Sequence, residues 1–86
     1  MLSEIDQRIL LTLYESNSGL SFTELTSKSK ISPNSAKASV DKLIELGLVK
    51  EDREKTFPRR RILALTNKGK EVAALLHKIL QIVGET

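Results

Sequence analysis

Ile5, Ile9, Leu10 and Leu13 fall three and four residues apart, the spacing that puts them on one face of a helix. Ser3 stands where an N-cap would, and Asn17-Ser18-Gly19 supplies the stop, so a first helix is predicted to end near Asn17. The next block, Ser21-Phe22-Thr23-Glu24, has the pattern of a capping box, in which each side chain accepts a hydrogen bond from the other residue's backbone N–H. A short helix over 22–29 follows, with Leu25 as its apolar anchor. After Lys30-Ile31, Ser32 offers an N-cap hydroxyl and Pro33 occupies the first helical position, where its missing N–H costs nothing. Ala36, Val40, Leu43 and Ile44 then form one stripe, which predicts a third helix over 33–46 closed by Gly47 in the left-handed conformation.

The pattern changes beyond Gly47. Leu48–Arg53 and Arg59–Leu65 read as two short strands joined by Glu54-Lys55-Thr56-Phe57-Pro58, a connection suited to a hairpin. Thr66 caps a last helix over 66–84, whose apolar positions include Val72, Leu75, Leu76, Ile79, Leu80, Ile82 and Val83. Val72, Leu76, Ile79 and Val83 make one stripe, and Leu75 and Ile82 lie beside it, so the apolar band is too broad for one face. No internal repeat or low-complexity linker interrupts the order helix, helix, helix, strand, strand, helix. Residues 1–86 therefore read as a single domain, mainly α with a small β-hairpin wing.

Composition narrows the chemistry. The 86 residues are 40% hydrophobic and 29% charged, a balance that folds around one modest core. There is no cysteine and one histidine, His77, so neither disulfides nor a metal site is expected, and no cofactor. His77 reads as a boundary residue of the last helix. No apolar run approaches the ~20 residues that span a bilayer, and Ser3, Glu4 and Asp6 stand where a signal peptide would carry basic residues. A cytoplasmic location is the expectation. The net charge of +3 is unevenly spread: residues 1–27 sum to −3, residues 28–61 to +5 and residues 62–86 to +1. A basic middle is the footprint expected of a surface that faces phosphates.

Several runs together carry a resemblance: Ser21-Phe22-Thr23-Glu24-Leu25, then Ile31-Ser32-Pro33-Asn34-Ser35-Ala36-Lys37, then Val40-Asp41-Lys42-Leu43 with Leu46-Gly47-Leu48-Val49, and Leu65-Thr66-Asn67-Lys68-Gly69-Lys70-Glu71. The chain resembles small prokaryotic winged helix-turn-helix transcriptional regulators of the MarR/ArsR-like superfamily. That likeness implies a winged helix-turn-helix fold with the third helix as recognition helix, a DNA-binding regulator and a homodimer. Three features depart from it. Pro58-Arg59-Arg60-Arg61 stands where MarR-type wings often carry Asp-x-Arg, and the Cys or His clusters of ArsR-type metal sensors are absent. MarR-type chains also have longer flanking helices, so a small-molecule effector is not expected here.

Helical geometry and the resemblance indicate the same contact residues. With Val40 at the centre of the buried stripe and about 100° per residue, Asn34, Ser35, Ala38, Asp41, Lys42 and Glu45 point outward and Lys37 lies on the flank. Asn34, Ser35, Lys37 and Ala38 are the candidate base contacts, offering an amide to adenine, an ammonium to guanine and a methyl to thymine. Lys28, Lys30, Ser32 and Lys42 are candidate backbone contacts. The wing over 48–65 brings Arg53, Lys55, Arg59, Arg60 and Arg61 to the backbone or minor groove, although alternate strand residues face opposite ways. Phe57 reads as a packing residue of the tip rather than a wedge between bases. For the dimer interface the candidates are Leu75, Ile79, Ile82 and Val83.

The function expected from these readings is sequence-specific binding of double-stranded DNA. Two rivals share the fold: an architectural protein with little sequence preference, and a winged helix used for protein contacts. An enzyme is not indicated, because the sequence shows no nucleophile-base pair, no Gly-rich phosphate loop and no shielded carboxylate pair.

Overall fold

The computed structural model describes residues 1–84. Its elements are α1 (Glu4–Ser16), β1 (Leu20–Ser21), α2 (Phe22–Ser29), α3 (Pro33–Glu45), β2 (Val49–Arg53), β3 (Arg61–Leu65) and α4 (Asn67–Val83). Their starts follow from local hydrogen bonding. Ser3 and Asp6 form a reciprocal capping box on α1, and Ser21 and Glu24 form another on α2. Asn17, in the left-handed conformation, ends α1, while Gly19 packs close to Ile62. Gly47 ends α3 with φ 77°, as glycine readily can.

Three strands, one more than the sequence reading expects, make an antiparallel sheet in the order β1-β3-β2. β1 is two residues long, too short for any periodicity to reveal, and pairs Leu20 with Leu63 and Ser21 with Ile62. β3 starts at Arg61 rather than Arg59, because Arg59 takes a left-handed backbone (φ 56°) that an extended strand cannot accommodate. Leu20, Val49, Leu63 and Leu65 turn inward to meet Ile9, Leu10 and Leu13 of α1, Leu25 of α2 and Ala36, Val40 and Leu43 of α3. α1 packs against α2, α3, α4 and β3, which makes it the central post of the domain. Among the described residues no helix is long and apolar enough to cross a membrane.

The helix that precedes the sheet is stitched to the one that follows it. Thr66 caps α4 by accepting from the Gly69 N–H, and the same hydroxyl donates to the Gly47 carbonyl at 2.6 Å. Its backbone N–H donates to the Leu48 carbonyl at 3.1 Å. Gly69 lies so close to that carbonyl that a Cβ built on it would stand 1.9 Å from the oxygen. The Leu-Thr-x-Lys-Gly run is thus a joint: threonine ties two helix ends together and glycine lets the backbones touch. α4 also differs in phase from the stripe read in the sequence. Gly69 and Ala73 are its buried residues, with Val72, Leu76 and Leu80 half-buried, whereas Ile79 and Val83 are exposed.

α1 and α3 are joined by a polar cluster inside the contact. The Asp6 side chain is only 3% exposed, and it accepts from the Ser39 hydroxyl, from the Ser3 N–H at 2.8 Å and from Lys42 Nζ at 2.7 Å. Lys42 also donates to the Met1 carbonyl. Burial alone would raise the Asp6 pKa, but the Lys42 ammonium and the Ser39 and Ser3 hydrogen bonds outweigh it and bring the value from 3.8 down to about 2.

Two outcomes are expected. Gly69→Ala should destabilise the fold by ~3 kcal/mol, because the rigid Leu48 carbonyl cannot move aside for a methyl group, and chemical denaturation measures the loss. Since the folded pKa of Asp6 lies below its unfolded value, the stability it contributes, ~2 kcal/mol, is complete above about pH 4 and disappears as pH falls through about 2. Urea titrations of the wild type and Asp6→Asn across that window should show the acid-dependent loss in the wild type and a flatter profile in the variant.

Candidate nucleic-acid interface

The surface of α3 divides sharply. Ala36, Ser39, Val40 and Leu43 are buried against the rest of the domain, and Asn34, Lys37, Ala38 and Asp41, at intervals of three, one and three, form an exposed row on the other side. Ser35 is half-buried beside a hollow of about 310 Å³ that it lines with Ser3, Ile5, Asp6, Ala38, Ser39 and Lys42. Lys37 pairs with Asp41 at 3.2 Å, but both side chains are more than half exposed. Such an i,i+4 pair contributes ~0.3–0.5 kcal/mol, too little to keep Lys37 from a better partner.

The start of α3 differs from the sequence reading in one respect. Ser32 is the N-cap residue, yet its hydroxyl makes no capping hydrogen bond, and only its carbonyl is used, by the Ala36 N–H at 2.9 Å. Pro33 fixes the first turn instead. The exposed Ser32 hydroxyl is therefore available to an outside partner, next to a helix end whose dipole favours negative charge. Lys28 and Lys30 are exposed at the C-terminal end of α2, with Lys30 in the left-handed conformation that turns the chain toward α3.

Lys42 does not fit the backbone-contact role read from its outward position. Its ammonium is committed to the buried Asp6 carboxylate, where it offsets a charge that would otherwise be costly to bury. Asp6 was itself legible as an anomaly: it precedes Ile9 and Leu10 by three and four residues, so it shares their face, and a carboxylate on an apolar face needs a partner.

The wing arginines fall into two groups. Arg61 makes a two-pronged contact with Glu51 at 2.9 and 2.8 Å across the β2–β3 pair and lies 5.9 Å above the Phe22 ring. Arg60 clamps Glu54 with its Nε at 2.9 Å and Nη2 at 3.2 Å. These bonds hold the Glu51 and Glu54 pKa values down and the Arg60 and Arg61 values up. Both arginines thus spend their hydrogen bonds within the wing, and the acidic residues interleaved in its sequence were the signal that they would. Arg53, Lys55 and Arg59 are exposed and have no carboxylate partner among the described residues. Phe57 departs from its expected packing role: it is 90% exposed at the tip.

The exposed apolar surface of α4 consists of Leu75, Ile79, Ile82 and Val83, each between 54% and 75% exposed. His77 is half-buried, with its ring 5.5 Å from that of Tyr14. A hollow of about 230 Å³ lies between the end of α1, the β3 end and Lys70, with Tyr14 and Leu13 in its lining. Among the described residues no three His, Cys, Asp or Glu side chains gather as metal ligands would.

A family model described as winged helix-turn-helix DNA-binding matches residues 2–50. Among curated proteins none matches the chain. Solved structures do. The transcriptional regulator BldR from Sulfolobus solfataricus superposes with a TM-score of 0.82 at 29% identity over 95% of this chain and 58% of that one. An apo mutant form of ZitR from Lactococcus lactis gives 0.84 at 26% identity, over 94% of this chain and 60% of the other. A MarR-family transcriptional regulator from Silicibacter pomeroyi gives 0.83 at 23% identity, over 94% and 53%, a likeness of fold alone. The chain thus spans between 53% and 60% of the length of these three. With its capped helix pair followed by the β2–β3 hairpin, and with that family-model match over more than half its length, the chain belongs to the winged helix-turn-helix DNA-binding family.

Proposed function

We propose that this chain is a transcriptional regulator that binds double-stranded DNA in a sequence-specific way, as a homodimer, with α3 in the major groove and the wing on the backbone or minor groove. The observation that carries the reading is the exposed row Asn34, Lys37, Ala38 and Asp41 on a helix whose opposite face is locked into the core. An asparagine amide matches the hydrogen-bonding edge of adenine, a lysine the acceptors of guanine, and an alanine methyl the methyl of thymine. Ser35 reaches the bases from its half-buried position at the edge of the row. Lys28, Lys30 and Ser32 flank the helix start, where they take phosphates and set the register. Arg53, Lys55 and Arg59 supply the wing's charge to the duplex, while Arg60 and Arg61 brace its shape.

The dimer reading rests on α4. Burying a side chain such as Leu75 or Ile82 is worth ~1.5–3 kcal/mol, and four such residues lie together in water on one helix. A second copy related by a two-fold axis covers the same patch on both partners at once, and residues 66–84 are the proposed dimerisation helix of this single domain. No effector forms part of the proposal.

Duplex binding should fall about a thousandfold or more between roughly 50 and 200 mM salt, as phosphate neutralisation releases counterions. Asn34→Ala and Lys37→Ala should each relax discrimination at particular base pairs by ~1–3 kcal/mol in a competition assay on DNA selected from a random pool. A flat salt titration would count against DNA binding, and equal losses on selected and random DNA would favour the architectural rival. Sedimentation at micromolar concentration should show a dimer, and the double variant Leu75→Glu, Ile82→Glu a folded monomer. A wild type that sediments as a monomer would refute the interface.

A further inference from the structure

The chain has three aromatic residues, and two of them are engaged. Tyr14 meets His77, and Phe22 lies beneath the Arg61 guanidinium. Phe57, at 90% exposure, belongs to no cluster of the core. A hairpin tip has no need of an aromatic, since small polar residues and glycine satisfy its geometry at less cost in exposed apolar surface. The tip is nevertheless braced. The Arg59 N–H donates to the Thr56 carbonyl at 2.9 Å, the Glu54 N–H to the Arg60 carbonyl at 3.1 Å, and the Arg60–Glu54 clamp closes the base of the loop. The ring is therefore presented on an ordered support, and little further ordering is required when it meets a partner.

Its neighbours specify that partner's charge. Arg53, Lys55 and Arg59 flank the ring in the chain and carry no carboxylate partner among the described residues, whereas the two arginines that follow are neutralised by Glu54 and Glu51. An apolar plate between unpaired cations fits a surface that alternates phosphates with stacked planar rings. β2 follows α3 through Leu46, Gly47 and Leu48 and packs against it, so in the docking proposed above, with α3 in the major groove, the wing lies beside that helix and its tip is assigned to the adjacent minor groove. Apolar side chains presented in that groove wedge between base pairs and kink the duplex, most easily at pyrimidine–purine steps.

We infer that Phe57 is an intercalating wedge: it enters the minor groove of bound DNA and inserts its ring between two base pairs, while Arg53, Lys55 and Arg59 grip the phosphates on either side. The inference rests on the DNA-binding reading above and adds a bend to it, so the kinked step becomes a position at which sequence is selected by deformability rather than by hydrogen bonds. The bend also lets the duplex follow the protein more closely than a straight rod could.

The chain contains no tryptophan, so Phe57→Trp places a single reporter at the tip. With a mixed-sequence duplex of about 30 bp containing TA and CA steps, at about 50 mM salt, the indole emission should be strongly quenched and shielded from acrylamide in the complex. End-to-end energy transfer across the same duplex, labelled at both ends, should rise with the wild type and much less with Phe57→Ala. That variant should bind ~10-fold more weakly and melt as the wild type does, because the ring is outside the core. If wild type and Phe57→Ala bind and bend the duplex alike, and the indole stays open to acrylamide in the complex, the wedge is refuted while DNA binding stands. If the wild type binds no duplex even at low salt, both readings fall together.

Discussion

A carboxylate taken almost wholly out of water has to be satisfied where it lies, and in this domain that requirement governs how the central helix α1 meets α3. Asp6 draws the Ser39 hydroxyl and the Lys42 ammonium of α3 to itself and keeps its own cap on Ser3. Apolar contacts between two helices tolerate some sliding, because dispersion and burial have little directional preference. Hydrogen bonds and a buried ion pair do not, and those at Asp6 fix the rotation of α3 about its axis as well as its height along α1. The row Asn34, Lys37, Ala38 and Asp41 owes its outward aim to that rotation. Lys42, although it sits among outward-facing positions, serves the interior.

The rest of the domain shows how a short chain distributes a small core. α1 has neighbours on several sides, and α2, α3 and β3 each give it one apolar face. What remains for α4 is a narrow line at Gly69 and Ala73, set by the joint through Thr66 and by the approach of Gly69 to Leu48. Small residues in the buried line bring the helix close, and the large ones, Leu75, Ile79, Ile82 and Val83, are left pointing away. The helix that closes the fold is also the one that offers it outward.

Charge in the wing obeys a similar division. Glu51 and Glu54 each take an arginine from the far side of the hairpin, giving a clamp at its middle and another at the base of its tip. Such pairs gain little in open water, but as bidentate contacts across a two-stranded ribbon they hold its shape. Of the wing cations left unpaired among the described residues, Arg53, Lys55 and Arg59 lie around Phe57 and Lys50 lies near the start of β2, so most of the free positive charge sits toward the tip.

Much of this architecture was present in local sequence, because caps, stripes and glycine stops act over a few residues. The N-cap at Ser3, the capping box at Ser21, Pro33 at the first position of α3, Gly47 behind it and the limits of α2 depend on neighbours within one helical turn, and the structure has them where those neighbours require. The apolar excess of the last helix was countable too. Tertiary structure decided the partners of the charges that pair between elements. Lys42 and Asp6 are 36 residues apart in the chain, and Arg61 and Glu51 are 10, distances over which no periodicity speaks. Residue type announces that a charge needs a partner, but only the packed fold determines which opposite charge is near enough, and so which cations stay unpaired. The same holds for the two-residue β1 and the phase of α4: in each, local preference was weak, and the closest approach of distant backbones, Leu20 to Leu63 and Gly69 to Leu48, supplied the deciding constraint.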